Sequence, residues 1–372
     1  GLYGEALEVQ EKRQKLSLAL EPAGNHPRHL DVLNSMAILA TVSGEGDRAE
    51  KLWLEALNLA KEVPPGEMGV LYRRNAEQLS LYYIHQGNYA SAETYIEEVL
   101  NGYEAVPSRD SGESYASALR SGGLIASTMG KYDEAESYYR RALDVYAELE
   151  PKGKHNDYAY TFSAIGELYL MMGRMNQAEK VLQRAVSILR ESPTDPMMYL
   201  PSLLTQLAGL YSTLGEYAPA VDALEEAAQV FMAKPQYINT AEFAGIFKQM
   251  SYIYTDMGLY EEALEAIRKA KGLYAELSPR GKHIFYVHAL RMEALLLRDL
   301  GKQEEALTQF EKILEITRDF PVEEKNPLYA QTLTGAGLLY EFSGAHEKAE
   351  EYYLNALSIQ KSYAPQGRHP DY

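Results

Sequence analysis

The chain has no cysteine in 372 residues. That excludes disulfides, thiolate-bound zinc and a cysteine nucleophile, so stability must come from packing. Long apolar runs are missing too: none approaches the ~18 residues that a membrane-crossing helix needs. Cations are scarce, 36 Lys and Arg against 53 Asp and Glu, for a net charge of -17. Such acidity argues against a nucleic-acid backbone or an anionic lipid as the main partner. Catalytic signatures are also absent. Gly130-Lys131, Gly153-Lys154, Gly281-Lys282 and Gly301-Lys302 run on into Tyr, His, His and Gln, so none continues as a phosphate loop. No His-Glu-x-x-His occurs, and no strand–turn–helix pattern mounts a nucleophilic serine. The expectation is a non-enzyme with no metal or cofactor. With no secretory leader visible, it is also expected to be cytoplasmic.

What is present is a period. A Gly followed five residues later by Ala occurs at Gly44/Ala49, Gly87/Ala92, Gly130/Ala135, Gly173/Ala178, Gly215/Ala220, Gly258/Ala263, Gly301/Ala306 and Gly344/Ala349, with a further copy at Gly1/Ala6. Successive glycines from Gly44 on are 43 residues apart, except for 42 between Gly173 and Gly215. A fixed period of this length marks an array of stacked units rather than several globular domains. Apolar residues at i, i+3, i+4 and i+7 flank each Gly on both sides, so each unit reads as two helices. The Gly ends the first helix, where a left-handed turn would be costly for any residue with a Cβ.

Other columns keep the register. Seven residues before each Gly the side chain is small: Ala37, Ser80, Gly123, Gly166, Ala208, Ser251, Ala294 and Gly337. The paired helices are expected to cross closely there. Four before come mostly tyrosines, and nine after come Trp53, Ile96, Tyr139, Leu182, Leu224, Ile267, Phe310 and Tyr353, which are expected to fill the space between units. Adjacent acids such as Glu97-Glu98, Glu261-Glu262 and Glu304-Glu305 recur on one face of the second helix and read as a solvated exterior. The 30 tyrosines fall largely in core columns, so they read as packing rather than as a base-stacking platform.

This register resembles the tetratricopeptide repeat, with its large, small, Tyr and Ala columns, though the unit is longer than the ~34 residues of the common form. Longer units of this kind are similar to those of kinesin light chains and their bacterial relatives. The closing Gly367-Arg368-His369-Pro370-Asp371 and Leu33-Asn34 strengthen the likeness. The family's Asn-Asn pairs are mostly absent, so its asparagine ladder is not carried over. The resemblance implies an all-α, right-handed α-solenoid of about eight helix-turn-helix units. Their expected bounds are 27–63, 68–106, 112–150, 156–192, 198–234, 239–278, 284–320 and 326–364, in a single array over 1–372. Residues 1–20 form a leading second helix, and 365–372 start a further unit. Both ends read as cuts in a longer protein.

A loop motif, Pro-x-Gly-x-His, occurs at Pro22–His26, Pro151–His155, Pro279–His283 and Pro365–His369. Stacked layers of ~10 Å hold the four histidines tens of Å apart. The motif therefore reads as a turn and helix cap rather than a metal site. The proline-rich connection from Glu191 to Pro201 carries the one-residue deletion and reads as a bend. A second, Asp319 to Pro327, reads as a stiffened loop before a helix.

In the family resembled, first helices line the concave face, and function is a matter of that surface. Positions ten, six and thirteen before each Gly then supply the candidates. Ten before gives Glu77, Arg120, Lys248 and Arg291. Six before gives Leu81, Leu124, Glu167, Tyr252 and Leu295. Thirteen before gives Arg74, Tyr160 and His288. Two basic clusters result, Arg74 with Arg120 and Lys248 with His288 and Arg291. Cations flanked by apolar anchors suit a protein or peptide with acidic and apolar groups. The same surface would serve a scaffold or the sensor module of a larger signalling or transcription-regulating protein.

Overall fold

In the computed structural model the described residues are 2–20, 27–61, 67–105, 112–149, 156–191, 199–277, 284–317 and 322–363, and among them there are no strands. All four Pro-x-Gly-x-His motifs lie outside these residues. The chain divides into two compact units, 1–194 and 195–372. The division falls inside the connection from Glu191 to Pro201, and each unit keeps the repeat register on its own side of it.

The first unit opens with α1 (Leu2–Leu20). Four helix pairs follow: α2 (Pro27–Val42) with α3 (Gly46–Lys61), α4 (Glu67–His85) with α5 (Tyr89–Ala105), α6 (Gly112–Thr128) with α7 (Tyr132–Leu149), and α8 (Asn156–Met171) with α9 (Met175–Glu191). The second unit has four more: α10 (Leu200–Thr213) with α11 (Tyr217–Met232), α12 (Ala241–Asp256) with α13 (Tyr260–Leu277), α14 (Ile284–Asp299) with α15 (Gln303–Thr317), and α16 (Val322–Phe342) with α17 (His346–Tyr363). A short 3-10 turn, Pro235–Tyr237, precedes α12 and has no counterpart among the sequence expectations. α16 starts at Val322, ahead of Pro327 rather than at it.

All eight repeat glycines have positive φ, between 69° and 79°. At each, two backbone bonds close the first helix. At Gly258 its own N–H donates to the Thr255 carbonyl at 3.0 Å, and the next N–H, of Leu259, donates to the Tyr254 carbonyl at 2.8 Å. This is the left-handed helix cap that glycine favours. The Leu259 carbonyl then accepts from the Ala263 N–H at 2.9 Å and begins the second helix. One peptide unit thus ends one helix and starts the next. The alanine five residues after each Gly is buried throughout, 0% exposed in seven repeats and 3% at Ala349.

The column seven before each Gly has a more specific role than close crossing alone. A Cβ built on Gly123 would stand 2.5 Å from Tyr139 Cε1, one on Gly166 2.6 Å from Leu182 Cδ2, and one on Gly337 2.7 Å from Tyr353 Cε1. Each of these partners is the large residue nine after the Gly of the same repeat. That column therefore plugs its own helix pair. At Phe310 it also reaches the next repeat, since a Cβ on Gly335 would be 2.7 Å from Phe310 Cζ. Where serine replaces glycine, the hydroxyl is used: Ser251 Oγ donates to the Ala263 carbonyl at 2.8 Å.

Tyrosines four before the Gly bind repeats together. Tyr83 donates to Glu50 at 2.6 Å, and Tyr169 donates to Glu136 at 2.9 Å, both acids lying on the preceding second helix. Neighbouring first helices also pack on one another, α2 on α4, α4 on α6 and α6 on α8 in the first unit, and α14 on α16 in the second. Within each unit a second helix packs on the first helix of its own pair and, where another pair of that unit follows, on the next first helix as well. First helices therefore form the inner face of each unit, and second helices its outer face.

Candidate functional site

On the inner face the residue ten before one Gly meets the residue thirteen before the next, an offset of 40. This pairing decides how the candidates behave. In the first unit Glu77 of α4 faces Ser117 and Ser121 of α6, whose hydroxyls donate to Glu77 Oε1 at 3.1 and 2.7 Å. Glu77 is only 8% exposed, so it is not a solvated groove residue. Burial raises its pKa, against the lowering effects of the two serine hydroxyls and the Arg120 charge. Arg120 places its guanidinium 5.5 Å from the Tyr160 ring centroid, a cation–π contact across α6 and α8. Its buried Nε has no hydrogen-bond partner. Arg74 does not join Arg120 as a free pair; it meets Asp31 of α2 at 3.3 Å. Leu124 is 44% exposed beside them, Leu81 is half-buried, and Glu167 is exposed.

The raised Glu77 pKa has a measurable sign. An acid whose folded pKa lies above its unfolded value holds more protons folded, so stability falls as pH rises through that window. The window begins at the ordinary 4.5 and ends at the raised value. Glu77→Gln keeps an acceptor for both serines and should remove this slope without loss of melting temperature near neutrality. Thermal unfolding across the acid-to-neutral range checks it. A slope unchanged in the variant would mean that another group is responsible.

In the second unit Lys248 of α12 lies 5.6 Å from the Phe285 ring centroid. His288 follows Phe285 by three residues on α14, and Arg291 follows by three more, so the side chains share one face. Desolvation first, then the charges of Arg291 and Lys248, hold the His288 pKa below its ordinary value, although its residue is exposed overall. The structure therefore brings the second basic cluster together. Neither Lys248 nor Arg291 meets a carboxylate in an ion pair among the described residues. Tyr252 is 46% exposed and Leu295 half-buried on the same face.

Beside Lys248, between α10 and α12, lies a cavity of about 570 Å³. Its apolar lining comes from Pro201, Phe231 and Ile246, its charged groups are Glu242 and Lys248, and Tyr252 and Gln249 complete it. Gly245 leaves part of this space open. It occupies the position thirteen before its repeat Gly, opposite Thr205, where other repeats carry a side chain. A Cβ there would find only Tyr274 Oη, at 3.9 Å. Gln249 Nε2 crosses the gap to the Thr205 carbonyl at 3.2 Å.

Sequence columns missed one buried charge. Eight before each Gly the residues are Met36, Leu79, Gly122, Ile165, Leu207, Met250, Glu293 and Ala336, so Glu293 is the single acid in an apolar column. It is 2% exposed and accepts from Arg268 Nε at 2.9 Å and from Lys271 Nζ at 2.5 Å, both on α13. Among the described residues no cluster of His, Asp or Glu has metal-binding geometry, and no helix is long and apolar enough to cross a membrane.

Family models described as tetratricopeptide repeat match residues 76–110, 114–191, 237–319 and 330–363. The chain belongs to the tetratricopeptide-repeat family. Its matched repeats are protein-interaction scaffolds, and none of the matching family models is described as catalytic. A model described as anaphase-promoting complex subunit 5 matches residues 192–234. No curated protein matches the chain. Among solved structures, BtubC (BKLC) from P. vanneervenii is 20% identical with a TM-score of 0.54, covering 68% of this chain and 94% of that one. The apo form of RapI is 14% identical with a TM-score of 0.62, covering 91% and 99%. A Signal Transduction ATPase with Numerous Domains (STAND) protein with a tetratricopeptide repeat sensor, from Pyrococcus horikoshii, is 11% identical with a TM-score of 0.65. It is covered over 54% of its length, by 97% of this chain. At these identities the likeness shows the fold alone: tetratricopeptide helix pairs in an all-α array.

Proposed function

We propose that the protein is a non-catalytic scaffold that holds an acidic, partly apolar peptide segment of a partner protein against the first helices. The observation that carries this is the presence of cations on the inner faces of a protein with net charge -17, of which Lys248 and Arg291 meet no carboxylate in an ion pair among the described residues. Lys248 and Arg291 in the second unit and Arg120 in the first stand beside exposed Tyr252 and Leu124. The acid-rich second helices repel the same ligand from the outer face. A cytoplasmic site of action is part of this reading.

The test is capture of partners on the intact chain, then peptide mapping and affinity measurement with Arg120→Glu and Arg291→Glu combined. Each lost charge-assisted contact is worth ~1.5–3 kcal/mol, so the double variant should weaken binding by at least tenfold, and raised salt should act in the same direction. Unchanged affinity in both arms would place the site elsewhere.

A second reading is favoured by the likeness, over 97% of this chain, to part of a STAND protein with a tetratricopeptide repeat sensor. Here the array is the sensor of a larger regulator. A nucleotide-binding or helix-turn-helix segment in the adjoining reading frame would support it.

A further inference from the structure

We infer that Lys248, His288 and Arg291, together with the cavity beside Gly245, form a site for a phosphate monoester whose uncharged portion occupies that cavity. The inference deepens the inner-face reading for the second unit and rests on it only for the ligand being peptide-borne.

Charge counting selects the phosphate. Lys248 and Arg291 carry two positive charges with no carboxylate paired to either among the described residues, and Glu242, the acid in the cavity lining, is exposed and lies six residues before Lys248 on α12. A peptide carboxylate would leave one of them uncompensated. A phosphate monoester carries about -1.5 to -2 at neutral pH and offers three acceptor oxygens. Those three oxygens match an ammonium, a guanidinium and an imidazolium. The equivalent place in the first unit already has its own carboxylate, Glu77, beside Arg120. The second unit has Thr205 and Gly245 where that pairing would recur, and so has space instead.

Lys248 joins the two halves of the site. It lines the cavity and also acts on the His288 ring. The charges that act on that ring are Arg291 from its own helix and Lys248 from α12. On the opposite side of α14, Glu293 is turned to Arg268 and Lys271 of α13. On α16 the residue at the Arg291 position is the uncharged Thr334. A bound dianion would offset the repulsion from Arg291 and Lys248. His288 would then take up a proton on binding, seen as a raised imidazole pKa in the complex.

The experiment follows the His288 imidazole by NMR in the full chain with labelled histidine, assigned by His288→Gln. Four probes are titrated at constant ionic strength: inorganic phosphate, the blocked dipeptide acetyl-Leu-phosphoserine amide, its acetyl-Leu-Glu amide counterpart, and acetate. Both phosphates should raise the His288 pKa saturably, and the two carboxylates should bind roughly tenfold more weakly or not at all. Lys248→Ala and Arg291→Ala should each weaken phosphate binding by roughly tenfold. Gly245→Leu fills the cavity and should weaken the phosphodipeptide while leaving inorganic phosphate unchanged. A phosphodipeptide no tighter than inorganic phosphate, with both bound, keeps the anion site but overturns the cavity half. Equal binding of phosphate and carboxylate probes, or no His288 response to either, overturns the inference. Failure here with a protein partner still captured leaves the scaffold reading intact. Success here with no partner captured does the reverse.

Discussion

Replacing Arg268 and Lys271 together by methionine is expected to cost about 3–5 kcal/mol, because it leaves a buried carboxylate without its counter-charges. Glu293 is 2% exposed, and the two α13 cations bind both of its oxygens. Their own side chains are 47% and 25% exposed, so they keep much of their hydration in the folded state. The carboxylate is therefore the member that cannot tolerate isolation. Adding Glu293→Leu to the double variant should recover most of the loss, since an apolar residue of similar volume fits the apolar column that Glu293 interrupts. Denaturant unfolding measures all three proteins, with hydrogen exchange locating the change to α13 and α14. In an array of near-independent repeats the damage should stay in the second unit. A cost no greater than that of a surface substitution would mean that water reaches Glu293.

The second large effect is at Gly123. Gly123→Ala puts a methyl where Tyr139 already stands, 2.5 Å from Cε1 and 2.7 Å from Cδ1. Overpacking of this kind costs ~1–3 kcal/mol, more than the helix propensity gained by removing a glycine. Tyr139→Leu alone should also destabilise, by leaving a cavity beside Gly123. The two together should cost less than their sum, because this chain already pairs Ala208 with Leu224 at the same two positions. A double-mutant cycle in denaturant reads the coupling directly. Additive costs would show that the two columns do not touch.

These two sites also show what a column reading reveals and what it omits. The period exposed the turn glycines, the buried alanines and the alternation of first and second helices, because each is a rule obeyed in every repeat. Pairings between columns are less legible. Gly123 and Tyr139 each follow their own column, and only packing shows that one makes room for the other. Glu77 was legible as an inner-face residue, but not as a buried one. Its burial depends on two serines 40 and 44 residues on that reach back to it. Glu293 was visible as the lone acid among apolar residues, a departure that a search for shared features passes over. The cavity is legible only as a missing side chain, since Gly245 occupies a column in which the informative residues elsewhere are Arg74, Tyr160 and His288.

The basic cluster of the second unit is where the sequence columns and the observed placement of side chains coincide most closely. Lys248 and Tyr252 stand on the helix before the Gly258 turn, at positions where the repeats stop resembling one another, and both line the cavity. Arg74 carries less weight, since Asp31 already engages it. Charge on the inner face is thus unevenly held: neutralised around Glu77 and Asp31 in the first unit, and uncompensated around Lys248 and Arg291 in the second.

The claim that matters most is that the inner face of these repeats, not the outer one, receives the partner. Hydrogen exchange on the intact chain, with and without its captured partner peptide, tests it most directly. The account predicts added protection on first helices, above all α12 and α14, with α13 and α15 unchanged. Protection confined to the acidic second helices would contradict it.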